Sequence, residues 1–172
     1  LTLTDRFVDM LEEGIDVAIR IGELENSSLI ARRVGATPIV FCAGPDYLAR
    51  RSTPQHPHDL LTHCCIVDTN FKLEGSWPFL IDGKSERVGV SGRFHVNNAS
   101  AVRRLAVNNQ GVALIPSYVV AQDIKAGRLI PVLEEFAPSG LHIHAVYPET
   151  RHLSAKTRRF VDFVATRSWD FG

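Results

Sequence analysis

The β-favouring run from Leu29 to Ala43 is longer than an ordinary strand, and Gly35 and Pro38 interrupt it. Strands average about 5–6 residues, and a proline removes one ladder donor, so a single sheet cannot take up the whole segment. Such a run is expected to leave one folded lobe and enter another.

The flanking segments support a layered α/β chain. From Leu1 the sequence reads as the end of a strand feeding a helix, with Thr4 as cap, Asp5 in the first turn, Phe7, Val8 and Leu11 on one face, and Gly14 as the stop. Ile15 to Ile21 then alternates as a strand, so the opening predicts a parallel strand–helix–strand unit. Pro45 opens a short helix that Arg50 and Arg51 close. Short strands are expected over Cys64–Val67, Trp77–Ile81, Arg87–Val90 and Arg93–Val96, with Asp82-Gly83 as a hairpin turn. A helix from Asn98 to Asn109 follows, then a buried strand Val112–Ile115 that Pro116 stops. Ser117 is read as the cap of the next helix, with Val120, Ala121 and Ile124 inward and Gly127 at its end. A strand His142–Tyr147 and a helix Ser154–Trp169, with Phe160, Val161 and Val164 inward, complete the chain.

With 45% hydrophobic residues the 172-residue chain can bury a core, and a formal net charge of zero does not suggest a nucleic-acid surface. No nucleophile elbow, phosphate loop or dinucleotide fingerprint occurs, so a catalytic site and a nucleotide cofactor are not expected. His56/His58 and His142/His144 are spaced as metal pairs, but neither has a nearby cysteine or carboxylate cluster, and surface or interface histidines explain them better. The three cysteines, Cys42, Cys64 and Cys65, form an odd set. They are read as reduced thiols, with Cys64 and Cys65 buried as small hydrophobes. Leu1 to Asp5 does not look like a signal peptide, and no apolar run approaches the roughly 18 residues of a membrane span, so a cytoplasmic location is expected.

The more informative residues stand where strands pass into helices: Thr4, Asn97-Asn98 and Ser117. In open sheets the carboxyl ends of parallel strands gather on one edge with helix N-termini, whose N–H groups favour a polar or anionic ligand. Plain helix capping accounts for any one of them.

In succession the segments resemble the effector-binding domain of LysR-type transcriptional regulators. The carrying pieces include Leu3-Thr4-Asp5-Arg6, the run Glu13 to Gly22, Ser27 to Arg33, Tyr47-Leu48-Ala49 and Pro57-His58-Asp59-Leu60. They continue with Asn97-Asn98, Gly111 to Pro116, Gly127 to Ile130, Ala145 to Pro148, Arg151 to Ser154 and Arg159 to Phe163. The resemblance implies two Rossmann-like α/β lobes joined by two crossover strands, like type 2 periplasmic binding proteins. Lobe I would hold residues 1–38 and 142–172, and lobe II residues 39–141. It implies a small-molecule effector, such as a small organic or aromatic acid, bound in the cleft between lobes. Thr4, Ile21 and Gly22 would touch it from lobe I, and Asn97, Asn98, Ala99 and Pro116 from lobe II. It further implies allosteric control of DNA binding through a winged helix-turn-helix not within these residues, a domain homodimer, and a full-length tetramer. The first strand and helix of lobe I are likewise expected to be missing here. A solute-binding protein of a transporter is the alternative on the same fold.

Overall fold

Pro38 divides the long run into two strands that join different sheets. β2 (Leu29–Thr37) ends before it and β3 (Ile39–Ala43) begins after it. Proline has no N–H to donate, while its carbonyl accepts a hydrogen bond from the Ser117 N–H at 2.8 Å. The computed structural model describes residues 2–4, 9–10, 12–22, 24, 29–71, 73, 75–149 and 154–167. Two compact units result: Pro38–Ser139 grouped with Leu1–Arg6, and Phe7–Thr37 grouped with Gly140–Phe171.

The larger unit is built on a five-stranded sheet, ordered β7 (Phe94–Val96), β4 (Cys65–Asp68), β8 (Val112–Pro116), β3 and β9 (Ile130–Val132). β4 runs parallel to both β7 and β8, whereas β3 is antiparallel to β8 and β9. Every residue of β8 is buried, as expected for a central strand covered on both faces. One face meets α2 (Ala99–Val107) and α3 (Ser117–Lys125), through a cluster of Cys42, Ile66, Val102, Ala113, Ile115 and Val120. Strand alternation turns Phe41 to the other side. There it stacks on Phe79 at 4.6 Å and lies 5.8 Å from Trp77. Both partners belong to the hairpin of β5 (Ser76–Ile81) and β6 (Lys84–Gly89). Asp82 and Gly83, with φ of 50° and 74°, form the twisted turn that Asp-Gly favours. The expected short helix is α1 (Pro45–Arg51).

Some local expectations are corrected in this unit. Ser117 is the first residue of α3 rather than its cap; Pro116 takes the cap position, without a side-chain bond. Ala121 is exposed, and Asp123 occupies the inward position instead. Cys65 and Cys42 are buried with their thiols pushed up to about 12, chiefly by burial, but Cys64 is only half-buried. The His56/His58 pair serves a 3-10 turn over Pro57–Thr62. The Asp59 carboxylate there accepts from the Gln55 and His56 N–H groups at 2.8 and 2.9 Å, and the two imidazoles stack at 5.1 Å.

The smaller unit carries a three-stranded sheet with β10 (Leu141–Pro148) between β1 (Ala18–Ile21) and β2. β10 is antiparallel to both neighbours, so the expected parallel strand–helix–strand pairing at the start of the chain is not formed. Among the described residues, Thr2–Thr4 belong to no strand, and the helix positions Asp5, Phe7, Val8 and Leu11 lie outside the described residues. α4 (Ala155–Thr166) is capped by Ser154, whose hydroxyl accepts from the Thr157 N–H at 3.1 Å. Its Val161 and Val164 pack with Val34, Ile143 and Ala145. Phe160 is 46% exposed, contrary to expectation, because the buried stripe runs Thr157, Val161, Val164. Trp169 lies outside the described residues. Asp162 instead reaches back to Arg32 at 2.6 Å.

His144 leads to a prediction. Its Nδ1 is buried with no hydrogen-bond partner among the described residues. Burial first, then His142 and Arg33, hold its pKa below the usual histidine value. Folding therefore favours the neutral ring, and that stabilisation is present above the unfolded pKa of about 6.5 and lost as pH falls below it. Urea midpoints at pH 7.5 and 5.5 should differ less for His144→Gln than for the unmodified chain. Equal pH dependence would refute this role.

Candidate ligand-binding site

The three parallel strands of the larger unit leave the sheet on a common edge, β7 at Val96, β4 at Asp68 and β8 at Pro116. The chain then turns into α2 after β7, a short 3-10 turn over Thr69–Phe71 after β4, and α3 after β8. Asn97, Asn98, Ala99 and Pro116 are thus brought to one edge. Asn98 is the cap of α2: its Oδ1 accepts from the Ala101 N–H at 2.9 Å. Asn97 and Asn98 are exposed, Ala99 half-buried and Pro116 buried.

Two residues that sequence reasoning missed belong here. The Thr69 hydroxyl donates to the Val96 carbonyl at 3.3 Å, and the Asn70 amide donates to the Asn97 carbonyl at 2.8 Å. Asp68 accepts from the Asn70 N–H at 2.9 Å, which holds the turn closed. The only available signal was position, a polar pair directly after a buried parallel strand.

Beside the edge, a surface groove of about 390 Å³ lies between α2 and α3, lined by Ala99, Ser100, Arg103, Tyr118, Val119 and Gln122. Its one guanidinium is already engaged. Asp123 is fully buried and accepts from Arg103 Nε and, at 3.0 Å, Nη2; Arg128 Nε donates to it at 2.7 Å. Arg103 foremost, with Arg128, keeps the Asp123 carboxyl below the usual carboxylate range against the opposing effect of burial. This ion pair fastens α2 to α3 beside the edge.

Ile21 and Gly22 belong to the smaller unit. Ile21 ends β1 and is 40% exposed, and the Gly22 N–H donates to the His142 carbonyl at 2.9 Å. Gly22 has φ of 111°, a conformation natural to glycine. Thr4 is exposed, lies outside regular structure and groups with the larger unit. No group of three His, Cys, Asp or Glu side chains among the described residues is placed to hold a metal ion.

Comparison with known proteins agrees with this architecture. The family model described as the LysR substrate binding domain matches residues 1–169. An uncharacterized HTH-type transcriptional regulator of Haemophilus influenzae is 34% identical over 152 residues, covering 88% of this chain and 53% of its own. The regulatory domain of CrgA, a LysR-type transcriptional regulator from Neisseria meningitidis, superposes with a TM-score of 0.77 at 30% identity, over 90% of this chain and 76% of that one. The full-length Vibrio cholerae virulence activator AphB superposes with a TM-score of 0.77 at 28% identity, over 92% and 53%. The chain spans about half the length of the curated relatives it matches. Those relatives are transcriptional regulators rather than enzymes, and among the described residues no helix is long and apolar enough to cross a membrane. With its periplasmic-binding-protein-like α/β fold, this chain belongs to the LysR substrate-binding domain family.

Proposed function

We propose that the chain senses a small-molecule effector for a LysR-type transcriptional regulator and passes that signal to a DNA-reading winged helix-turn-helix carried elsewhere in the full protein. The observation that carries the reading is the polar edge where β4, β7 and β8 give way to helix starts. Helix N-terminal N–H groups suit a carboxylate, so a small organic or aromatic acid is the favoured effector class. Asn97, Asn98, Ala99 and Pro116, with Thr69 and Asn70 added, are its proposed contacts on the larger unit. Thr4, Ile21 and Gly22 remain proposed contacts on the grounds of the family positions they match. Regulation follows if the effector binds two subunit arrangements with unequal affinity, in a cytoplasmic protein whose domain pairs as a homodimer within a tetramer. The relatives do not favour the transporter alternative.

Asn98 allows a test that separates binding from folding. Alanine removes the α2 cap as well as the amide, and should cost about 1 kcal/mol of stability. Serine keeps a cap oxygen while withdrawing the amide, so Asn98→Ser should hold stability yet weaken effector binding about tenfold, roughly 1.4 kcal/mol. Calorimetric titration with a small-acid library reads both variants. Undiminished affinity in Asn98→Ser would remove Asn98 from the site.

A further inference from the structure

The opposite edge of the same five-stranded sheet holds a second pocket, of about 210 Å³. Cys64, Arg93 and Gln110, which line it, stand just before the starts of β4, β7 and β8, and Arg50 and Arg51 enter from the end of α1. Its frame is tightly bonded. The Tyr47 hydroxyl accepts from the Cys64 N–H at 2.9 Å and lies 3.1 Å from His63 Nδ1. The Tyr47 N–H donates to Asn109 Oδ1 at 3.1 Å, and Arg50 Nη2 donates to the Asn109 carbonyl at 3.3 Å.

Three guanidinium groups therefore share a small concavity whose lining includes no acid. Three negative contributions oppose them. The C-terminal ends of α1 and α2 contribute about half a negative charge each. Asp46 adds one carboxylate, which accepts from Asn109 Nδ2 at 3.3 Å. About one net positive charge remains. No carboxylate among the described residues pairs with Arg51 or Arg93. Like charges held together favour an anion among them, and planar guanidiniums match tetrahedral oxyanions in two-point fashion.

We propose that this pocket binds a phosphate group, free or carried on a small ester, between Arg51, Arg93 and Arg50. It is smaller than the roughly 300–1,000 Å³ of drug-sized ligand sites, which limits the ligand to a phosphate with a few attached carbons. The site lies on the far edge from the helix starts, so it does not depend on the effector reading.

The test is a backbone-amide NMR titration of this chain with inorganic phosphate, glycerol 3-phosphate and citrate, each against sodium chloride of equal ionic strength. Saturable shifts at Cys64, Arg93 and Gln110 with the phosphates but not with chloride are expected. Arg51→Gln and Arg93→Gln should each weaken binding about tenfold or more, and Arg93→Lys less. Preference for glycerol 3-phosphate over inorganic phosphate would identify an ester as the ligand, and the reverse the free ion. Tighter binding of citrate than of either phosphate would overturn the phosphate assignment. Shifts that follow ionic strength alone, or that persist in the double variant Arg51→Gln/Arg93→Gln, would show a solvated basic patch and overturn the proposal. The variants replace solvent-facing side chains, and circular dichroism confirms their fold.

Discussion

Gly92→Ala is expected to destabilise the larger unit by about 3 kcal/mol or more, at the upper end of overpacking costs. A Cβ built at Gly92 would lie 1.7 Å from the Cys65 carbonyl oxygen and 2.8 Å from its carbon, so backbone rather than a yielding side chain must move. The closeness has a structural cause: the Cys65 N–H donates to the Ser91 carbonyl at 2.8 Å, drawing the loop before β7 against the start of β4. Gly111 meets β4 from the other side, with a Cβ placed 2.4 Å from the Cys64 carbonyl oxygen. Gly111→Ala should therefore rank second. Gly89→Ala serves as control, since nothing lies within 4 Å of its added Cβ, and it should change stability by no more than about 0.5 kcal/mol. Urea unfolding of the three variants checks the order. A Gly92→Ala midpoint equal to that of Gly89→Ala would contradict the close packing of this loop on β4.

Asp123→Ala should cost about 2–3 kcal/mol at neutral pH, less than the 3–5 kcal/mol of a wholly buried pair. The carboxylate is buried, but the Arg103 and Arg128 side chains are 37% and 50% exposed, so water can take over part of what they lose. The pH dependence has a definite sign. The folded carboxyl is held below its unfolded pKa of about 3.9. Its stabilisation is thus complete above that pH and disappears as pH falls through the folded value. Asp123→Asn should flatten the acid limb of the stability curve, whereas replacing all three charges with apolar residues of similar volume should recover much of the loss. Unchanged acid unfolding in Asp123→Asn would show that the carboxylate does not fasten α2 to α3.

Much of this molecule could be read in order along the chain, and the failures share a physical origin. Pro38, Asp82-Gly83, Asn98 and Pro116 act on their own neighbours, so the strand break, the hairpin, the helix cap and the strand end followed from local rules. Pairing in the smaller unit did not, because β10 inserts between β1 and β2 from more than a hundred residues away, and spacing carries no record of it. Asp123 took the inward place expected of Ala121, since the partner that holds it, Arg103, lies on another helix. Phe160 looked inward because it is aromatic, yet the stripe defined by Thr157, Val161 and Val164 excludes it. At the candidate site, Asn98 was visible as a cap, while Thr69 and Asn70 needed the parallel order β7, β4, β8 before their nearness to Asn97 had meaning.

The most direct measurement of effector binding is an amide-resolved titration of the regulator's effector domain with the acid that gives the strongest thermal stabilisation. Saturable shifts centred on Asn70 and on Asn97 to Ala101, requiring about tenfold more acid to saturate in Asn98→Ser, are the predicted result. Saturable binding that leaves those amides unmoved, and perturbs residues away from the strand ends at Asp68, Val96 and Pro116, would contradict it.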